Sequence, residues 1–143
     1  MQIADRIKAD VTTALKAGEK HRVGTLRLVL SELQKAAKEG SDDELAVLRR
    51  ERKRRQESSR AFRDAGRPEL ADAEDAEAVL IEGYLPADLP DEELTRLVDE
   101  AVTATGASSL KDMGAVMKQV MAQVAGRADG RRVSERVKER LQA

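Results

Sequence analysis

The chain predicts an all-helical protein of two lobes, on three observations. Apolar residues recur at three- and four-residue spacing from Ile3 to Leu141, and no segment alternates in the manner of a strand. The aromatics are Phe62 and Tyr84 alone, so the core must be built from Leu, Val, Ile, Ala and Met, a composition that favours helices. Pro86 and Pro90 bracket a short rigid connection, which places an N-terminal lobe of four helices at 1–85 and a C-terminal lobe of three at 86–143. A length of 143 residues suits one domain or two small lobes.

Each element follows from its own signals. Ile3, Ile7, Val11, Ala14 and Leu15 form one face of a first helix that Gly18 stops. From Val23 to Ala37 the apolar residues exceed a single stripe, which marks a second helix contacted on several sides. After Gly40, Ser41 with Glu44 three residues on reads as a capping box for a third helix running to about Ala65. Leu45 and Leu48 continue there as Arg52, Arg55 and Ser59, and no apolar residue lies between Arg49 and Arg60. That middle is expected to project, or to lay its arginine stems along a neighbour with the guanidinium groups in water. Gly66 and Pro68 separate it from a fourth helix carrying Leu70, Ala73, Ala76, Leu80 and Tyr84. Asp91-Glu92-Glu93 opens a fifth, closed by Gly106; Ser108 or Ser109 caps a sixth; Gly126 to Gly130 is a turn; Val133, Val137 and Leu141 mark the last.

Composition removes several chemistries. Cysteine is absent and His21 is the one histidine, which excludes disulfides, thiolate zinc sites, cysteine nucleophiles and multi-histidine metal centres. No cofactor or metal is implied. No stretch approaches a membrane span, and a cytoplasmic location with no membrane partner is expected. The net charge of −1 hides an asymmetry: residues 67–100 hold 2 basic and 12 acidic side chains, whereas 101–143 hold 8 and 4. Basic ends around an acidic middle fit a polyanion partner as well as ordinary helix solubility.

No catalytic array emerges. Asp72, Glu74, Asp75 and Glu77 crowd what reads as the solvated face of a helix, and His21 reads as a capping or surface residue. Ser58-Ser59 and Ser108-Ser109 lack the glycine-rich setting of an amidase, and Met113, Met117 and Met121 read as core filling. Gly126-Arg127-Ala128-Asp129-Gly130 is no Walker loop, yet its glycines allow close backbone approach, and the helix after it offers N–H groups to a phosphate. Two basic clusters remain: Arg49 to Arg55, and the C-terminal set of Lys111, Lys118, Arg127, Arg131, Arg132, Arg136, Lys138 and Arg140. Either suits a phosphate backbone, and the first also suits neutralising the acidic fourth helix. With two aromatics, nucleic-acid binding would proceed by shape and phosphate contact rather than by stacking.

Lys111-Asp112-Met113-Gly114-Ala115-Val116-Met117-Lys118 and Gly126-Arg127-Ala128-Asp129-Gly130-Arg131-Arg132-Val133 resemble the GatB/YqeY family, as do Thr25 to Leu30, Phe62 to Arg67 and Tyr84-Leu85-Pro86. The similarity is to stand-alone YqeY-like proteins and spans nearly the whole chain. It implies a two-lobed helical protein whose C-terminal lobe is related to the tail domain of the B subunit of the tRNA-dependent amidotransferase. In that enzyme the tail contacts tRNA, and other parts perform the amide transfer. The residues that match the tail motif are Gly114, Val116, Met117, Lys118, Gly126, Arg127 and Ala128, of which Lys118 and Arg127 are the implied phosphate contacts; Lys111, Arg131 and Arg132 of the basic C-terminal set complete the expected contact to tRNA or other structured RNA. The expectation is a non-catalytic tRNA-binding module, with no catalytic residues, to which a carbon-nitrogen ligase label using glutamine as amido donor attaches by family. The competing expectation is a protein-interaction or regulatory adaptor that binds a protein partner and no nucleic acid.

Overall fold

The computed structural model describes residues 2–142 and is helical as expected, with seven α-helices, one 3-10 turn and no strand among the described residues. The chain divides into two compact units, with the division between Leu85 and Pro86.

The first unit contains α1 (Ile3–Ala17), α2 (Lys20–Lys38), α3 (Glu44–Asp64) and α4 (Pro68–Glu82). Ile7, Leu26, Val29, Leu48 and Ile81 are the fully buried centre of its core, with Val11, Val23, Leu33, Val47 and Tyr84 around them. The Tyr84 hydroxyl donates to the Asp10 carboxylate, and the Arg6 guanidinium lies over the same ring, 5.3 Å from its centroid. These contacts tie the end of α4 to α1.

Two expectations for α3 change. The Ser41–Glu44 capping box does not form: Asp43 is the N-cap and accepts from the Ala46 N–H at 3.0 Å. Glu44 instead accepts from the Ile3 and Ala4 N–H groups, both at 2.9 Å. Gln2, the N-cap of α1, makes no side-chain cap bond, so a carboxylate some forty residues away satisfies those orphan donors and complements the helix dipole.

The middle of α3 is not solvated throughout. Glu51, Arg55 and Ser59, four residues apart, are all buried. Arg55 Nη1 donates to Glu51 Oε1 at 2.9 Å and to the Glu51 carbonyl at 3.2 Å, and Arg55 Nε lies 3.6 Å from Glu77 Oε2 on α4. The Thr25 hydroxyl of α2, whose single proton is shared with the His21 carbonyl at 3.2 Å, lies 3.4 Å from the other oxygen of Glu77. Ala71 and Ala78, both buried on α4 outside the main core cluster, lack the bulk to hold α3 and α4 apart. Arg55 is buried on α3, whose main neighbour is α4. Burial raises the pKa of the neighbouring Glu74, and the charge of Glu77 adds to the shift.

The second unit contains α5 (Asp91–Thr105), the 3-10 turn Leu110–Asp112, α6 (Met113–Val124) and α7 (Gly130–Gln142). Leu94, Val98, Val116, Val120, Val124, Val133 and Val137 form its core, sealed by Leu89 and Ala128. Ser109 caps the 3-10 turn in a capping box with Asp112, and α6 follows directly.

Candidate nucleic-acid interface

Val116, Val120 and Val124 turn one face of α6 into the core, which sends Gly114, Ala115 and Lys118 outward. Lys111, on the 3-10 turn just ahead, is exposed as well. Neither Lys111 nor Lys118 has a carboxylate within ion-pair distance among the described residues, although eight ion pairs form in this unit, from Arg127 to Glu93 and from Arg140 to Asp99 among them. A methyl group at Gly114 would meet no neighbouring atom within 4 Å, and its backbone is ordinary helix. Glycine in a helix costs about 0.5–1 kcal/mol relative to alanine. No close contact among the described residues requires a glycine here.

The turn between α6 and α7 is held from several sides. Ala125 and Gly126 both take positive φ, 49° and 80°, which reverses the chain tightly after Val124. The left-handed region suits glycine and is uncommon for alanine. Ala128 then enters the core. The Arg127 carbonyl accepts from the Leu89 N–H at 2.8 Å, while Arg127 Nε donates to the Ala87 carbonyl at 3.4 Å and Nη1 lies 3.5 Å from Glu93 Oε1. Arg127 therefore anchors this turn to the segment leading into α5. Asp129 accepts from the Arg132 N–H at 2.8 Å. The chain's own carboxylate thus occupies part of the helix N-terminus that the sequence offers to a phosphate.

The arginines of α7 answer to α5. Arg132 donates to Asp91 at 2.6 Å, Arg136 to the Thr95 hydroxyl, and Arg140 to Asp99 at 2.9 Å. Each pair spans 41 residues of sequence, so the two helices run parallel with side chains in matching steps of four. The hydrogen bond from Arg132 holds the Asp91 carboxyl below the usual carboxylate range, and the positive charges of Arg132 and Arg136 act in the same direction. Of the five sequence-predicted contacts, Arg127 and Arg132 are thus engaged inside the unit, and Lys111, Lys118 and Arg131 face solvent. Arg131 has an 80% exposed side chain, and its one ion-pair partner among the described residues is Glu135, one turn along its own helix.

Asp91, Glu93 and Asp99 are the residues that sequence reasoning missed. Their signal was present: 91, 95 and 99 on one helix and 132, 136 and 140 on another share a period of four. Of the motif residues, Val116 is fully buried, and Met117 packs against the same core with Met113, whereas Met121 is 38% exposed. His21 is exposed, and its carbonyl accepts from the Thr25 hydroxyl at 3.2 Å. Ser59 is buried, and with Arg63 it holds the Asp75 carboxyl below the usual range. Among the described residues no group of three His, Asp or Glu side chains is placed to hold a metal ion, and no helix is long and apolar enough to cross a membrane.

The model of the Yqey-like protein family matches residues 4–141. No curated protein matches the chain.

Proposed function

The chain belongs to the Yqey-like protein family, and from that premise we propose that it is a non-catalytic module for structured RNA, tRNA foremost, acting through the outward face of its C-terminal unit. The observation that carries the reading is the pairing of Gly114 with Lys111 and Lys118. Two cations stand without partners beside a helical glycine that no close contact among the described residues requires. A phosphate backbone supplies both needs, a negative charge for the ammonium groups and an approach close enough that a side chain at 114 would obstruct it. Arg131 adds a third outward cation, and Arg127 acts indirectly by holding the turn.

Association with the tRNA-dependent amidotransferase belongs to the same proposal, through the related tail domain. Catalysis lies outside it: releasing ammonia from glutamine calls for an activated nucleophile, and the chain has no cysteine and a half-buried Ser58 beside a buried Ser59. An adaptor that docks through the opposite charges of α3 and α4 would have to compete with pairs already made, Arg55 with Glu77 and Arg63 with Asp72 and Asp75. The test is titration of the purified chain with a tRNA transcript across a range of salt. Lys111→Ala with Lys118→Ala is expected to weaken binding several-fold and to lower the slope of log affinity against log salt by about 2. Gly114→Ala is expected to weaken binding without changing that slope. Unchanged binding in both variants rules out this face.

A further inference from the structure

We infer that one flank of α3, made by Arg49, Arg52, Lys53, Gln56 and Arg60, is a second contact for the phosphate backbone of structured nucleic acid, in the other unit from the face proposed above. The helical repeat puts these five side chains in a sector of about 100°, beside the buried line of Leu48, Glu51, Arg55 and Ser59. From Arg49 to Arg60 the sector rises about 16 Å and contains no carboxylate.

Ion pairing sorts the cations of this helix into two groups. Arg50 reaches Glu32 on α2, Arg54 and Arg55 share Glu51, and Arg63 binds Asp72 and Asp75 at 3.0 and 2.6 Å. Lys53 has only Glu57, 4.0 Å away and one turn along. Arg49, Arg52 and Arg60 have no ion-pair partner among the described residues, although the acidic α4 is the main neighbour of their helix. Neutralisation of α4 therefore accounts for Arg55 and Arg63 and leaves the flank unused. Arg60 is exposed, and Arg49 and Arg52 are half-buried.

The chemistry of the flank selects nucleic acid over an acidic protein. A protein interface needs apolar or aromatic anchors at its centre, and this sector has none. Interfaces with nucleic acid are more polar and more positive, and the guanidinium fork matches two phosphate oxygens at once. No aromatic side chain lies in the sector to stack on a base, so the contact is to the backbone and indifferent to sequence.

The experiment uses the full chain with Arg49→Gln, Arg52→Gln and Arg60→Gln combined, titrated with a short RNA duplex and with a tRNA transcript over a range of salt. None of the three arginines makes an ion pair, so the helical circular dichroism and unfolding midpoint are expected to match the parent, and single replacements are read if they do not. Binding is expected to fall tenfold or more at low salt, and the salt slope by about 2.5, on both probes. Only the choice of probe rests on the proposed function, and the Lys111/Lys118 variant measured in parallel keeps the two readings separable. Loss in the arginine variant alone supports this flank and refutes the C-terminal face, and loss in both supports both. An unchanged arginine variant overturns the flank. Displacement of RNA by polyglutamate at equal charge concentration overturns the choice of nucleic acid in favour of an acidic protein.

Discussion

Replacing Arg55 by alanine probes the least conventional feature of the fold. Arg55 is 9% exposed and bonds a Glu51 carboxylate that is 4% exposed, so its removal strands a buried negative charge. Breaking a buried pair in this way costs about 3–5 kcal/mol. Two features place the cost near the lower end. Arg54 still donates to Glu51 at 2.9 Å from a more exposed position, and Glu77, with 21% side-chain exposure, keeps its contact with the Thr25 hydroxyl. Arg55 Nε is buried without a hydrogen-bond partner even in the intact protein, so the native network already carries a penalty of about 1 kcal/mol. Arg55→Ala is therefore expected to destabilise the first unit by about 3 kcal/mol, which for a unit of this size lowers its midpoint by roughly 12–24 °C. Glu51→Met with Arg55→Met, which removes both charges and refills the volume, is expected to return to within about 1 kcal/mol of the parent. The assay is urea unfolding followed by the fluorescence of Tyr84, the only tyrosine in a chain without tryptophan and hence a reporter of the first unit alone. A loss below about 1 kcal/mol in Arg55→Ala would show the pair to be solvated, and a double variant as unstable as the single one would refute the role assigned to stranded charge.

Tyr84 yields a pH prediction. Burial, with the Asp10 hydrogen bond and charge adding to it, pushes its phenol up to about 12 from the ordinary 10. The folded state thus favours the neutral phenol, and the stability that this contributes is complete below pH 10 and is lost as pH rises from 10 through 12. That loss amounts to roughly 2–3 kcal/mol. Phenolate absorbance should titrate near 12 in the folded protein, and Tyr84→Phe should remove this contribution to the decline; a folded-state midpoint near 10 contradicts the burial argument. Asp129→Ala, which deprives the Arg132 N–H of its acceptor, is expected to cost about 1 kcal/mol and to speed amide exchange in the first turn of α7, with Asp129→Asn largely restoring protection.

The helices were legible because their signals are local. The apolar spacing of Ile7, Val11 and Ala14 and the stops at Gly18 and Gly106 depend on neighbours a turn away, and the structure keeps them. The same spacing placed Arg55 and Ser59 on the inward line of α3. Whether that line is buried depended on the packing of α4 against α3 and on Glu77 of that other helix, which no local pattern in α3 reports. At the candidate interface the basic residues were visible, but their division into engaged and outward groups was not. Arg127 and Arg132 are paired at the surface with Glu93 and Asp91, while Lys111 and Lys118 have no such partner among the described residues. Glu44 went the same way, from a cap for its own helix to a cap for α1. The sequence by itself determined the helical periodicity, the breaks and the supply of charge, because a backbone hydrogen bond four residues long carries that information. Only the tertiary structure decided which charges meet. An ion pair within 4 Å depends on the register and closeness of two packed helices, and both are set by side chains far away in the chain.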